Sequence, residues 1–139
     1  MKKGLRMGKK MPRILVVDDE LLICQVLDEY LSGQGYEVTT ACNGEEALSR
    51  FEENRPHVVL LDIRMPGMSG IDVLSKIREM DRSVGIIMLS AFGDSNTVDK
   101  ALRLGADRYM KKPMDLDCLK GALSAWQLPE MNRGSDGNS

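Results

Sequence analysis

No apolar run in the sequence approaches the roughly 18 residues that a membrane span needs, and the basic start is not followed by the apolar segment of a signal peptide. Both absences point to a chain that works in the cytoplasm, away from the membrane. Cysteine is scarce. Cys24, Cys42 and Cys118 are odd in number, far apart and without C-x-x-C spacing, which argues against a disulfide framework or a zinc site and for free, buried thiols. Excess charge is missing as well. A formal net charge of -2, with 42% apolar and 29% charged residues, excludes wholesale disorder and offers no bulk attraction to nucleic acid. There is no internal repeat, and 139 residues fit one domain able to bury most of its apolar surface without disulfides or metals as staples.

The basic residues are unevenly spread: Lys2, Lys3, Arg6, Lys9, Lys10 and Arg13 all precede the first acid. Residues 1–12 therefore read as a solvated, disordered arm, and residues 128–139 as a tail or the start of a linker. The domain is expected over 13–127.

Within it, short apolar runs alternate with segments of helical period. Ile14 to Val17, Val58 to Leu61 and Ile86 to Leu89 show no polar alternation, as strands buried on both faces would. Tyr36 to Thr40 alternates and suits a strand near a sheet edge, and Asp107 to Met110 reads as a short last strand. Helices are expected from Glu20 to Ser32 (apolar Leu21, Leu22, Val26, Leu27, Tyr30, Leu31) and from Glu45 to Glu53 (Ala47, Leu48, Phe51). A third begins near Ile71 and ends near Met80. A fourth, capped by Asp94 and with Val98, Ala101 and Leu102 inward, ends near Leu104; a fifth, capped by Asp115, runs through Leu119 and Leu123 to Trp126. Strands alternating with helices call for an α/β fold, a doubly wound five-stranded parallel sheet with right-handed crossovers and helices on both faces.

Four of these strands run into a reactive polar group: Asp18 and Asp19 after the first, Asp62 after the third, Ser90 after the fourth, and Lys112 after the fifth. Strand ends of a parallel sheet share one edge, where ligands of open α/β sheets bind. Three carboxylates brought together there repel unless a cation or proton intervenes, and an all-oxygen acidic site suits Mg2+. Such a site attracts a phosphoryl group, whose remaining oxygens the Lys112 ammonium and the Ser90 hydroxyl would meet. A carboxylate can be the nucleophile, giving an aspartyl-phosphate, and Asp62 is the lone acid on its strand. Crowding of like charges also predicts that Asp18→Ala or Asp19→Asn stabilises the metal-free fold. His57, the sole histidine, lies before its strand and reads as structural.

These residues resemble the receiver domain of bacterial two-component response regulators. The likeness covers about Arg13 to Trp126 and rests on Leu-Val-Val-Asp-Asp-Glu at 15–20, Asp-Ile-Arg-Met-Pro-Gly-Met-Ser-Gly at 62–70, Leu-Ser-Ala at 89–91 and Gly-Ala-Asp-Arg-Tyr-Met-Lys-Lys-Pro at 105–113. The resemblance implies the flavodoxin-like strand order 2-1-3-4-5. It also implies roles. Asp62 would take phosphate from a sensor histidine kinase or a phosphotransfer protein. Asp19 and Asp62 would bind Mg2+ directly with the Arg64 backbone carbonyl, and Asp18 mainly through water. Lys112, before a cis Pro113, would contact the phosphate. Ser90 and Tyr109 would form the switch pair, Tyr109 turning from solvent to core, and the face of the fourth helix, fifth strand and fifth helix would dock an output domain or a second copy.

Two rivals share parts of this pattern. A flavodoxin needs a hydroxyl- and glycine-rich phosphate loop after its first strand, where this chain has three acids, Asp18 to Glu20. A haloacid dehalogenase-type phosphatase also uses an Asp nucleophile with Mg2+, but wants an Asp-x-Asp pair, and here the acids are adjacent. No output domain follows in the sequence, so direct nucleic-acid binding is not expected of this chain.

Overall fold

The apolar runs at 14–17, 58–61 and 86–89 are long enough for one strand each and too short for a buried helix, and each becomes a strand with both faces covered. The computed structural model describes residues 11–91 and 95–124. In order these form β1 (Arg13–Val17), α1 (Leu21–Gly33), β2 (Glu37–Ala41), α2 (Gly44–Asn54), β3 (Val58–Asp62), α3 (Gly70–Met80), β4 (Gly85–Ser90), α4 (Ser95–Arg103), β5 (Arg108–Lys111) and α5 (Leu116–Leu123). The strands pair in the order β2-β1-β3-β4-β5, every pair parallel. The fold is therefore the doubly wound sheet expected, with β2 at an edge. No helix among the described residues is long and apolar enough to cross a membrane.

Side chains of a strand alternate between faces, so each central strand feeds two cores. Leu15, Val17, Val59, Leu61, Ile86 and Met88 pack with Ala47 and Phe51 of α2, Val73, Leu74 and Ile77 of α3, and Ala101 of α4. On the opposite face Ile14, Val16, Val58, Leu60, Ile87 and Leu89 meet Cys24, Leu27 and Leu31 of α1 and Leu119, Ala122 and Leu123 of α5.

Local signals set several helix starts. Asn43 accepts the Glu46 N–H at 2.8 Å, Ser69 and Asp72 form a reciprocal capping box, and Asp115 accepts the Asp117 N–H at 2.8 Å. The expected Asp94 cap, Trp126, the arm up to residue 10 and the tail at 128–139 lie outside the described residues.

Three expectations are corrected. On α1, Leu21, Leu22 and Val26 are 68%, 70% and 47% exposed, and the buried stripe is Cys24, Leu27 and Leu31. On α4, only Ala101 is fully buried among the described residues, while Leu102 is exposed. Of the three cysteines, all free, only Cys24 is buried; Cys42 is half-buried and Cys118 exposed. The cause is the same for both helices. Apolar residues cover more of the circumference than the sheet can cover, and the sheet decides which stripe goes in.

One close approach ties this frame to the end of β3. A Cβ added at Gly70, the first residue of α3, would lie 2.1 Å from the Asp62 carbonyl oxygen and 2.8 Å from the Ile63 Cα, both backbone atoms that cannot swing aside. The Gly70 N–H donates to the Ile63 carbonyl at 2.9 Å. Gly121 in α5 has nothing within 4 Å of such a Cβ. Gly121→Ala should therefore stabilise the domain by about 0.5–1 kcal/mol, the ordinary helix gain. Gly70→Ala should destabilise it by roughly 1–3 kcal/mol, as overpacking does. Urea denaturation of the two variants checks this, and a shift of the same sign in both would refute the close packing at Gly70.

Candidate functional site

Parallel pairing carries the reactive groups to one edge. Beyond β1, the Asp18 N–H still donates to the Ala41 carbonyl at 3.1 Å; beyond β3, the Ile63 N–H donates to Leu89 at 2.9 Å; beyond β5, the Lys112 N–H donates to Ser90 at 2.9 Å. The ladder thus continues past the formal strand ends and holds Asp18, Asp62 and Lys112 in register. The Lys112–Pro113 peptide bond is cis, as the resemblance implied.

The three acids come together as expected. One carboxylate oxygen from each of Asp18, Asp19 and Asp62 lies within 4.8 Å of the others. Asp18 is fully buried and Asp62 nearly so, while Asp19 is exposed. Lys112 reaches in with its Nζ at 2.6 Å from Asp18 Oδ2, 3.4 Å from Asp62 Oδ2 and 3.6 Å from Glu20 Oε1. The Glu20 N–H donates to Asp18 Oδ1 at 2.9 Å and the Arg64 N–H to Asp62 Oδ1 at 3.2 Å. A cleft of about 250 Å³ opens here, lined by Asp19, Glu20, Asp62, Arg64, Ala91 and Lys112.

The charges are unequally satisfied. Burial, and then the Asp18 charge, push Asp62 up to about 6, against the opposing pull of Lys112 and the Arg64 N–H. Burial works against the charge on Lys112, but the hydrogen bond and charge of Asp18, followed by Asp62, outweigh it and hold its pKa above the usual lysine value. Burial and Asp18 also push the Cys24 thiol up to about 11, so that thiol stays protonated and inert. Asp18 is thus paired with Lys112, which argues against a stabilising Asp18→Ala: removing one partner of a buried pair costs roughly 3–5 kcal/mol, so relief from crowding is expected at exposed Asp19 alone.

This donor set fits a hard divalent cation. It is oxygen only, it carries excess negative charge, and its cleft is open to solvent. Both Asp18 oxygens already accept hydrogen bonds, and the carboxylates that line the cleft are those of Asp19, Glu20 and Asp62.

The remaining expected residues are close by. Ser90 is fully buried at the end of β4, paired in register with Lys111. Tyr109 is half-buried, packs against the α2–α4 side of the core, and places its hydroxyl 3.4 Å from the Ser90 carbonyl, a long contact for a donated O–H. Tyr109 thus stands between the solvent-facing and core-filling positions that the expected turn would connect. His57 stays away from this edge, as expected, and its Nδ1 accepts the Arg13 N–H at 3.0 Å. Glu20 also belongs to the site, a residue that no motif role singles out; its one signal in the sequence is adjacency, directly after Asp18 and Asp19.

The comparisons agree with this geometry. Residues 14–124 match the response regulator receiver domain family. Sporulation initiation phosphotransferase F of Bacillus subtilis (strain 168) is 34% identical over 114 residues, which cover 82% of this chain and 92% of that protein. Regulatory protein AtoC of Escherichia coli (strain K12) is 41% identical over 122 residues, 87% of this chain but 26% of AtoC, so the chain spans about a quarter of that relative. The crystal structure of response regulator TrrA from Thermotoga maritima in complex with Mg(2+)-BeF superposes with a TM-score of 0.76 at 42% identity, covering 84% of this chain and all of that one. From its matched sequence, its strand order and the acids gathered at its reactive edge, this chain belongs to the receiver domains of two-component response regulators.

Proposed function

We propose that Asp62 accepts a phosphoryl group from a phosphohistidine of a sensor kinase or phosphotransfer protein, in a Mg2+-dependent step. The observation that carries this reading is the gathering of Asp18, Asp19 and Asp62 within 4.8 Å, with the Lys112 ammonium 3.4 Å from Asp62. An Asp62 oxygen forms the new bond to phosphorus as the phosphorus–nitrogen bond of the donor breaks, and the imidazole leaves with the bonding pair. Asp62 is suited to the role because it is the buried carboxylate whose charge the fold satisfies least. Asp19, Asp62 and the Arg64 carbonyl would hold Mg2+, with Asp18 acting through water. When bound, the ion supplies the positive charge that lets a phosphoryl dianion approach these acids. Lys112, already shared between Asp18 and Asp62, would turn to the phosphoryl oxygens. The TrrA complex with Mg(2+)-BeF supports the same use of this site. The domain would act only on its own Asp62, with no turnover of a free substrate, and no observation favours the phosphatase alternative.

Output would run through Ser90 and Tyr109. A Ser90 hydroxyl drawn to the phosphoryl group shifts the end of β4, to whose carbonyl Tyr109 is joined. The α4-β5-α5 face then changes, and its exposed Lys100, Arg103, Asp107, Arg108 and Asp117 would orient an output domain or a second copy.

Incubation with acetyl phosphate and Mg2+ should add one phosphate by intact mass, and Asp62→Asn or EDTA should abolish the gain. Undiminished labelling of Asp62→Asn would remove the assignment.

The unsatisfied charge also has a pH signature. Folded Asp62 keeps its proton up to about 6, whereas an unfolded aspartate titrates near 3.9. The folded state then binds more protons across that window, so this group's contribution to stability falls as pH rises from roughly 4 to 6. In EDTA, wild type should lose about 2–3 kcal/mol relative to Asp62→Asn between pH 4 and pH 7. Parallel stability profiles for the two proteins would contradict the placement of a poorly compensated Asp62.

For the switch, beryllofluoride with Mg2+ should alter amide exchange in α4 and at Tyr109 far more than in β2 and α2. Ser90→Ala should blunt that contrast while Asp62 still labels; an equal response across both regions would refute the route.

A further inference from the structure

Away from the reactive edge, one arginine gathers three segments. Arg78, in the last turn of α3, donates from Nε to the Gly105 carbonyl at 3.0 Å, from one terminal nitrogen to the Asp81 carbonyl at 3.2 Å, and from the other to Asp107 Oδ2 at 3.1 Å. Its side chain is only 12% exposed. The same Asp107 oxygen accepts the Ile86 N–H at 2.9 Å, and the Asp107 N–H donates to the Ile86 carbonyl at 2.9 Å. The turn from α4 into β5 is thereby fastened to both α3 and β4.

Gly105 shows how closely this cluster is built. Its φ of +115° is a conformation that L side chains rarely adopt, and an added Cβ would lie 3.0 Å from Arg78 Nε and 3.1 Å from its Cγ. Arg78 lies flat against the bare glycine backbone. The helix that leads into this turn is the opposite case. Among the described residues of α4, Ala101 alone is fully buried, and Leu102 and Leu104 beyond it are 43% and 38% exposed. A helix with one small buried side chain has little apolar packing to hold it, so its position depends on its ends.

We propose that Arg78 is the fixed anchor of a movable α4: it pins the C-terminal end at Gly105 and Asp107, so that rearrangement at the Ser90 end swings the helix about this turn rather than displacing it. This rests on the switching role proposed above, and it assigns to Arg78 and Asp107 the positioning of a pivot. Planar, multidentate binding is what an arginine supplies and a lysine does not.

The test is residue-resolved amide exchange on the full chain, with Arg78→Ala and the milder Arg78→Lys and Asp107→Asn. At rest, Arg78→Ala and Arg78→Lys should raise exchange at Gly105, Ala106, Asp107 and Ile86 about tenfold or more, with the β3 amides of Val59 and Leu60 unmoved. Asp107→Asn, which keeps an acceptor for Ile86, should show a smaller rise at the same amides. With beryllofluoride and Mg2+, wild type should keep Gly105 to Asp107 slow while α4 responds; in Arg78→Lys the response should spread into that turn. Unchanged exchange at those four amides, or an equal rise at Val59 and Leu60, would reduce Arg78 to an ordinary brace and overturn the anchor. The resting comparison needs no phosphoryl mimic, so it reads the anchor even where a failure of Asp62 to label has removed the function itself.

Discussion

Asp18 has no solvent exposure, and the ammonium of Lys112, 2.6 Å away, is what makes that tolerable. One residue follows interior strand β1 and the other follows edge strand β5, with β3 and β4 between them. Their attraction therefore draws the β5 end inward across Asp62. An uncompensated buried charge costs several kcal/mol, a penalty that few single contacts elsewhere in a domain of this size would offset. The geometry also divides one lysine between two carboxylates unequally, 2.6 Å to Asp18 and 3.4 Å to Asp62. Asp62 is left with burial and a neighbouring negative charge and holds its proton up to about 6. The stable pair and the poorly satisfied acid are two sides of one arrangement.

Much of this was legible in the sequence because it depends on short-range rules. Unbroken apolar runs such as Val58 to Leu61 can be buried only as central strands, and a parallel sheet then forces their C-terminal polar residues onto one edge. Asp18, Asp62, Ser90 and Lys112 were placed correctly on that basis. Which of the two adjacent acids is sequestered was not legible, since Asp18 and Asp19 are alike in sequence and differ only in the fold, where Asp18 still pairs with Ala41 and meets Lys112 while Asp19 lies exposed.

The helices show where pattern reading stops. Along α1, apolar residues occur on more than one stripe, and period alone does not choose between Leu22 with Val26 and Leu27 with Leu31. The small Cys24, which carries no strong apolar signal, takes a core position, and two leucines of the first turn do not. Arg78 is a sharper case. A lone arginine near a helix end reads as a solvated charge, and its three acceptors, at 81, 105 and 107, come together only once α3 and the turn before β5 are side by side.

Differences in packing decide which part of the domain a small energy can move. Helix α3 buries Val73, Leu74 and Ile77 completely, worth roughly 1.5–3 kcal/mol each, and its first residue touches the backbone of Asp62. Helix α4 buries Ala101 alone. On the proposed route, a phosphoryl group at Asp62 would gain one or two charge-assisted hydrogen bonds of about 1.5–3 kcal/mol apiece, too little to unseat α3 and enough to shift α4. The same step would disturb Ser90, whose carbonyl already takes hydrogen bonds from Lys112 and Tyr109. If that route holds, the reactive edge and α4 would be joined through the end of β4, and the firmer packing of α3 on the far side of Asp62 would direct the response toward α4.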